Sequence, residues 1–133
     1  MKTYVFACVH NAGRSQMAAA FFNRLADPAK ARAISAGTSP GERVHPEVVA
    51  AMLDRDIDLS GGTPRKLTPE LAAGAAVLVT MGCGDRCPFV PGARVEDWPL
   101  ADPKGQPPPV VNRIRDEIES RIADLVRRDG VGR

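Results

Sequence analysis

The chain has 133 residues, of which 44% are hydrophobic and 26% are charged, the size and composition of one globular domain. Its 18 basic and 16 acidic residues are spread along the chain and leave a net charge of +2, which argues against a nucleic-acid partner or a membrane surface. No apolar run approaches the ~18 residues that a membrane-spanning helix needs, and no signal-peptide pattern is found, so we expect one cytoplasmic domain over residues 1–133.

Strand and helix patterns alternate along the first half of the chain. Residues 3–7 are a short apolar run of β-forming residues, and beyond Ser15 the apolar residues recur at helical spacing until Asp27 and Pro28 end the pattern. A second strand is expected over residues 31–38. Pro46 then lies at a suitable first position for a second helix.

The second half of the chain continues this alternation. A short helix is expected over residues 68–74, followed by the continuous apolar run 75–81, which is typical of a central parallel strand. A fourth strand is expected near residues 94–97, and apolar residues at helical spacing over 110–126 predict a long amphipathic helix. The alternation predicts an α/β domain of three layers, with a parallel sheet between helices on both faces.

The segment "CVHNAGRS", Cys8 to Ser15, has the composition of an oxyanion site. It joins the first strand to the first helix, so the free backbone N–H groups and the dipole of that helix favour an anion here. Arg14 can grip two oxygens of a tetrahedral oxyanion, and Ser15 can donate a hydrogen bond to a Cys8 thiolate. The sequence therefore predicts a nucleophilic cysteine beneath a bound oxyanion. The expected binding residues are Val9, His10, Asn11, Ala12, Gly13, Arg14 and Ser15.

The chain has three cysteines, Cys8, Cys83 and Cys87. An odd number without a secretory pattern favours reactive or metal-binding thiols over a structural disulfide framework, although burial as small hydrophobic residues is an alternative. Cys83 follows the run 75–81, so it would lie at the same sheet edge as Cys8 if the two strands are neighbours. No second Cys or His pair has zinc-finger spacing, and no metal site is expected.

The motif Cys-x5-Arg-Ser after the first strand, together with Asp102-Pro103 downstream, resembles the low-molecular-weight protein tyrosine phosphatase superfamily. The resemblance implies the fold of that family, with a four-stranded parallel sheet, and makes Asp102 the general acid that protonates the leaving oxygen. Phosphatases of the family have aromatic residues directly after Asp-Pro that help to hold a phosphotyrosine ring. This chain has Lys104-Gly105 there, which argues against a deep phosphotyrosine pocket.

The segment "VTMGCGDRCP" is similar to the redox segment of the arsenate reductases built on this phosphatase fold. The resemblance implies that Cys8 attacks arsenate, that Cys83 attacks Cys8 and releases arsenite, and that Cys87 moves the disulfide to Cys83–Cys87. Thioredoxin or a low-molecular-weight thiol would supply the electrons, no bound cofactor is expected, and phosphate or sulfate would also fit the loop. The implied catalytic residues are Cys8, Arg14, Ser15, Asp102, Cys83 and Cys87.

Three features of the chain bear on how that chemistry would run. The Cys-x3-Cys spacing is shorter than in the best-known reductases of the branch. Gly82 and Gly84 flank Cys83 and are expected to let this segment move during thiol exchange. Residues 16–20 lack the acidic residue through which some relatives bind potassium, so no strong potassium dependence is expected.

Two alternatives to an arsenate reductase stay open. A phosphatase would hydrolyse phosphoesters through Cys8 and Asp102, with Cys83 and Cys87 protecting Cys8 from oxidation. A non-catalytic oxyanion-binding or redox-sensing module is the other, and the presence of both Asp102 and the thiol pair argues against it. The sequence has no long apolar stripe beyond those needed for the core, so we expect a monomer.

Overall fold

A parallel sheet forms the centre of the computed structural model, which describes residues 1–82 and 92–133. Within these ranges the sheet has four strands, β1 (Lys2–Cys8), β2 (Ala31–Gly37), β3 (Val77–Thr80) and β4 (Arg94–Asp97), in the order β2-β1-β3-β4. The helices of the same ranges are α1 (Arg14–Leu25), α2 (Pro46–Leu53), α3 (Pro69–Ala73) and α4 (Pro108–Asp129).

The structure confirms the predicted α/β class, with four parallel strands and helices between them. The predicted and observed elements differ at their ends. β3 is shorter than the apolar run 75–81. α4 extends beyond residue 126 to Asp129, where Gly130 ends it in the left-handed conformation with φ of 65°. No helix in the described part of the chain combines the length and the apolar character needed to cross a membrane.

β1 is buried on both faces, which explains why its sequence is continuously apolar instead of alternating. Tyr4 and Phe6 point to the larger core, which includes buried residues of α1, α2 and α4. Val5 and Ala7 point the other way, into a smaller core that includes residues of α3. The sheet therefore has helices on both faces, as the alternation of strands and helices predicts.

The carboxyl ends of β1 and β3 lie side by side. Ala7 pairs with Thr80, and the backbone N–H of Met81 donates to the carbonyl of Ala7 over 2.7 Å. Cys8 follows Ala7 at the end of β1, and Gly82 follows Met81. The two strands are therefore neighbours, the condition under which the sequence predicts Cys8 and Cys83 at one edge, and Cys8 and Gly82 share that sheet edge.

At the other end of the molecule, a buried carboxylate joins the end of α4 to two strands. Tyr4 donates its hydroxyl to Asp129 Oδ2 over 2.5 Å, and both terminal nitrogens of Arg94 donate to the same carboxylate over 3.2 and 2.7 Å. Burial alone would raise the pKa of Asp129, but the hydrogen bonds from Arg94 and Tyr4 hold it below its ordinary value. The ionised form of Asp129 therefore stabilises the fold.

We expect Asp129→Asn to reduce the free energy of unfolding by about 1–2 kcal/mol at pH 7, because Tyr4 and Arg94 lose the charge of their acceptor and one of its two oxygens. The folded-state pKa of Asp129 lies below its unfolded value, so this contribution is present above about pH 4 and disappears as pH falls through the folded-state pKa. Urea unfolding of both proteins between pH 7 and pH 3 measures the difference. Asp124→Asn, at a carboxylate that is 47% exposed on the same helix, is the control and should change stability little. A difference for Asp129→Asn that stays constant over this pH range would contradict the prediction.

Candidate active site

Cys8 lies at the floor of the loop formed by residues 8–15, here called the Cys8 loop. Its side chain is nearly inaccessible, with 2% of the residue exposed, and its Sγ lies 2.9 Å from Ser15 Oγ. Ser15 is in the first turn of α1, and Gly13, which has no side chain, stands at the N-cap of that helix. The free N–H groups at the start of α1 therefore belong to the same loop as the thiol, as the sequence predicts.

Asn11 donates a hydrogen bond to Ser15, the residue whose hydroxyl lies beside the Cys8 sulfur. The residue is fully buried, with a left-handed φ of 50°, and its Oδ1 accepts from the backbone N–H of Arg65 over 3.0 Å. A backbone N–H can only donate, so the amide oxygen of Asn11 must face Arg65 and its NH₂ group must face Ser15. That NH₂ group donates to Ser15 Oγ over 2.7 Å.

This arrangement suits a thiolate at Cys8. Ser15 Oγ already accepts a hydrogen bond from Asn11, which leaves the hydroxyl proton of Ser15 free to point at the sulfur. A thiolate has no proton of its own, so Ser15 is the donor whenever Cys8 is ionised. Gln16 reinforces the arrangement, because its Nε2 donates to the backbone carbonyl of Asn11 over 3.1 Å and lies 3.3 Å from Asn11 Oδ1.

Arg14 connects the Cys8 loop with two other segments. The residue is 7% exposed, its Nη1 donates to the carbonyl of Leu100 over 3.2 Å, and its Nη2 lies 3.9 Å from Asp102 Oδ2. On another side it lies against Gly82, where an added Cβ would be 2.2 Å from Nη1. The guanidinium is therefore held at one place between the end of β3 and the segment that carries Asp102.

Asp102 belongs to a turn over residues 101–106, here called the Asp102 loop. Its side chain is 46% exposed, and its Oδ1 accepts from the backbone N–H of Lys104 over 3.0 Å. The next residue, Pro103, is buried against the Cys8 loop, since a Cβ added at Gly13 would lie 3.1 Å from Pro103 Cγ. Asp102 is thus close to Arg14 and accessible from solvent, as a group that protonates a departing oxygen has to be.

Two histidines lie at the Cys8 loop, His10 as one of its residues and His45 with its Cδ2 3.6 Å from a Cβ added at Gly13. The rings of His10 and His45 pack edge to face with their centroids 6.4 Å apart, and His10 Nδ1 lies 3.2 Å from the carbonyl of Ser39. Burial lowers the pKa of His45 below its ordinary value, which favours the neutral ring. His45 is the N-cap residue of α2.

The structure brings together four of the six residues predicted to be catalytic, namely Cys8, Arg14, Ser15 and Asp102. Of the remaining residues predicted to bind the oxyanion, Asn11, Ala12 and Gly13 are buried in the Cys8 loop, and Val9 and His10 are partly exposed there. Cys83 and Cys87 lie outside the described residues. The catalytic and binding roles of all of these residues remain predictions.

Residues 3–130 match the family model described as low molecular weight phosphotyrosine protein phosphatase. The chain belongs to this family. Membership agrees with the Cys8 loop, with the Asp-Pro pair at residues 102–103 and with the parallel sheet, and it confirms the resemblance seen in the sequence.

Within the phosphatase family, the chain is similar to proteins named arsenate reductases. It is 35% identical to the glutaredoxin arsenate reductase of Synechocystis, over 95% of this chain and 97% of that protein. A relative from Halobacterium salinarum is 40% identical over 90% of this chain and 87% of its own length. Among solved structures, the thioredoxin-dependent arsenate reductase of Corynebacterium glutamicum has a TM-score of 0.82 at 35% identity. That alignment covers 96% of this chain, which spans 61% of that protein.

Proposed function

We propose that this protein is an enzyme that reduces arsenate to arsenite and serves in arsenic detoxification. The observation that carries the proposal is the buried Cys8 sulfur, which lies 2.9 Å from the Ser15 hydroxyl and in the same loop as Arg14. The thiol pair in the sequence and the arsenate reductase names of the relatives support the reductive branch of the family over the hydrolytic one.

The first step uses the residues that phosphatases of this kind share. Arsenate has nearly the shape and charge of phosphate, so Arg14 and the N–H groups of the Cys8 loop would hold its oxygens. The Cys8 thiolate forms a bond to arsenic, and one As–O bond breaks. Asp102 donates its proton to the departing oxygen, which leaves as water. Arsenic remains As(V) at this stage.

The second step is the reduction, and it needs a second thiol. The Cys83 thiolate attacks Cys8 Sγ, the S–As bond breaks, and its electron pair stays on arsenic, which leaves as arsenite. Arsenic gains two electrons, and the two thiolates lose them in forming the Cys8–Cys83 disulfide. Cys87 then attacks Cys83 and frees Cys8, an exchange that changes no oxidation state overall.

We propose thioredoxin as the reductant of the Cys83–Cys87 disulfide. A protein with two thiols can reduce a disulfide by the same exchange chemistry. The solved relative from Corynebacterium glutamicum is named thioredoxin-dependent. The relative from Synechocystis is named a glutaredoxin arsenate reductase. A low-molecular-weight thiol is the second donor, and it is compared with thioredoxin in the same assay.

The decisive experiment measures arsenite formation and NADPH oxidation by the purified protein with arsenate, thioredoxin and thioredoxin reductase, and separately with a small thiol. Arsenate-dependent turnover with either donor supports the reductase. The protein would be a phosphatase if neither donor supports arsenate turnover and the protein hydrolyses an aryl phosphate rapidly in a reaction that needs Cys8 and Asp102. Lys104-Gly105, both exposed, provide no aromatic wall for a phosphotyrosine ring, so we expect the first result.

Asp102→Asn is expected to lower kcat/KM for arsenate about 10²-fold, because the departing oxygen loses its proton donor while the nucleophile and the oxyanion site stay intact. Steady-state rates with thioredoxin measure the effect, and single-turnover rates locate it in the first step. Asp124→Asn on α4 is the matched control and should retain the wild-type rate. An Asp102→Asn enzyme with wild-type kcat/KM would remove Asp102 from the chemistry.

A further inference from the structure

We propose that Glu47 is a positioning residue that holds the Asp102 loop in the place from which Asp102 protonates the departing oxygen. The inference deepens the proposed function and rests on it, since Glu47 would act through Asp102. It starts from one contact between distant parts of the chain: Glu47 Oε2 accepts the backbone N–H of Gly105 over 2.9 Å.

The Asp102 loop has few other attachments. Pro103 is its buried residue, and its neighbours over residues 101–106 are exposed. Within the loop, Lys104 N–H donates to Asp102 Oδ1 over 3.0 Å, and Gln106 N–H donates to the carbonyl of Pro103 over 3.1 Å. These bonds shape the turn but do not fix it to the rest of the protein. The contact of Pro103 with Gly13, the ion pair of Asp102 with Arg14 and the bond from Gly105 to Glu47 do that.

Glu47 is suited to hold the loop because its own helix is firmly packed. It lies in the first turn of α2, next to Val48, and both Val48 and Met52 of this helix are fully buried in the core. Burial alone would raise the pKa of Glu47, but hydrogen bonds from its own N–H and from the N–H of Gly105 hold it below its ordinary value. Glu47 is therefore a carboxylate at neutral pH, the stronger form of acceptor.

Loss of this bond should affect the reaction through the position of Asp102. A displacement of about 1 Å at a catalytic group can cost a large factor in rate, even when the change is made at a residue away from the chemistry. Glu47 bonds Gly105 and not the Cys8 loop, so its removal leaves the Cys8–Ser15 contact and the Arg14–Leu100 bond in place. The predicted loss therefore lies in kcat and not in KM.

We expect Glu47→Ala to lower kcat for arsenate about 10-fold with KM little changed, and Glu47→Gln, which keeps an oxygen acceptor, to stay within about 3-fold of wild type. Glu42→Ala removes an exposed carboxylate just before α2 and is the control. Combination with Asp102→Asn is the sharper test. If Glu47 acts through Asp102, Glu47→Ala adds no loss to the Asp102→Asn enzyme.

The outcomes separate the two proposals. Three results would overturn the positioning role and leave the reductase in place. They are a wild-type kcat in Glu47→Ala, a loss of kcat in Glu47→Gln equal to that in Glu47→Ala, and losses that multiply in the double variant. Absence of arsenate turnover in the wild type would overturn the proposed function itself. A full effect of Asp102→Asn with no added loss in the double variant supports both.

Discussion

Cys87→Ser is expected to stop multiple turnover of arsenate with thioredoxin while the enzyme still releases one arsenite per active site. The proposed first and second steps need only Cys8 and Cys83, so a single reduction can proceed without Cys87. The product is then a Cys8–Cys83 disulfide. Cys8 is 2% exposed at the floor of its loop, which denies a protein reductant that sulfur of the disulfide, and the proposed sequence assigns attack on the Cys83 sulfur to Cys87. Without Cys87 to free Cys8 by exchange, the enzyme should remain oxidised.

Rapid-quench measurement of arsenite against enzyme concentration tests this prediction, with the Cys8–Cys83 disulfide identified by mass spectrometry of the quenched protein. The wild type should release many equivalents with thioredoxin, Cys87→Ser one equivalent, and Cys8→Ser none. Turnover of the wild type only with a small thiol, at a rate unchanged in Cys87→Ser, would keep the reductase and discard the three-thiol sequence. Multiple turnover by Cys87→Ser with thioredoxin alone would show that Cys87 is not the exchanging thiol.

The fold could be predicted from the sequence because its periodicity is strong. The continuous apolar runs at residues 3–7 and 75–81 became the two central strands, β1 and β3, which is where a parallel sheet needs residues that are buried on both faces. The amphipathic run in the last quarter became α4, with Ile118 and Ile122 fully buried. The sequence left the ends of these elements open, because capping and fraying depend on contacts that periodicity does not record.

The grouping of Cys8, Arg14, Ser15 and Asp102 was also predictable, because these side chains have distinctive chemistry and stand in recognisable motifs, while their catalytic roles stay predictions. The contacts that hold them were not predictable. Arg14 bonds the carbonyl of Leu100, 86 residues away. Asn11 accepts from the N–H of Arg65 at a separation of 54, and Glu47 accepts from that of Gly105 at a separation of 58. Each of these bonds uses a backbone group on one side, and backbone groups are the same in nearly every residue, so no motif marks them.

The sequence suggested one reason for a glycine at position 82, and the structure adds a second. From the sequence, a glycine before Cys83 suggested freedom of movement during thiol exchange. The structure gives a more specific reason, because Gly82 has a left-handed φ of 92° and the space that its Cβ would fill is taken by the Arg14 guanidinium. Either reason alone would require a glycine, so the sequence cannot separate them. The steric requirement becomes visible only in the contact between Gly82 and Arg14.

Gly82→Ala is therefore expected to lower kcat/KM for arsenate about 10³-fold, because it displaces Arg14, the group that we propose grips the oxyanion. The added Cβ would lie 2.2 Å from Arg14 Nη1, far inside van der Waals contact. Arg14 has little room to yield, since it is 7% exposed and bonded to Leu100. If the backbone yields instead, it moves the start of the segment that carries Cys83. Single-turnover arsenite release and the dissociation constant of phosphate, a mimic of the substrate, measure the two effects.

Gly130→Ala separates this steric effect from backbone strain. Gly130 also has a left-handed conformation, with φ of 65°, but an added Cβ there would meet no atom within 4 Å. Both variants should therefore lose about 1 kcal/mol of stability from the strained backbone. Loss of arsenate turnover and weakened phosphate binding should appear in Gly82→Ala alone. If phosphate binds Gly82→Ala as tightly as wild type while turnover falls, the guanidinium has kept its place and the loss belongs to the Cys83 segment. Wild-type turnover in Gly82→Ala would show that Arg14 need not occupy this position for the reaction.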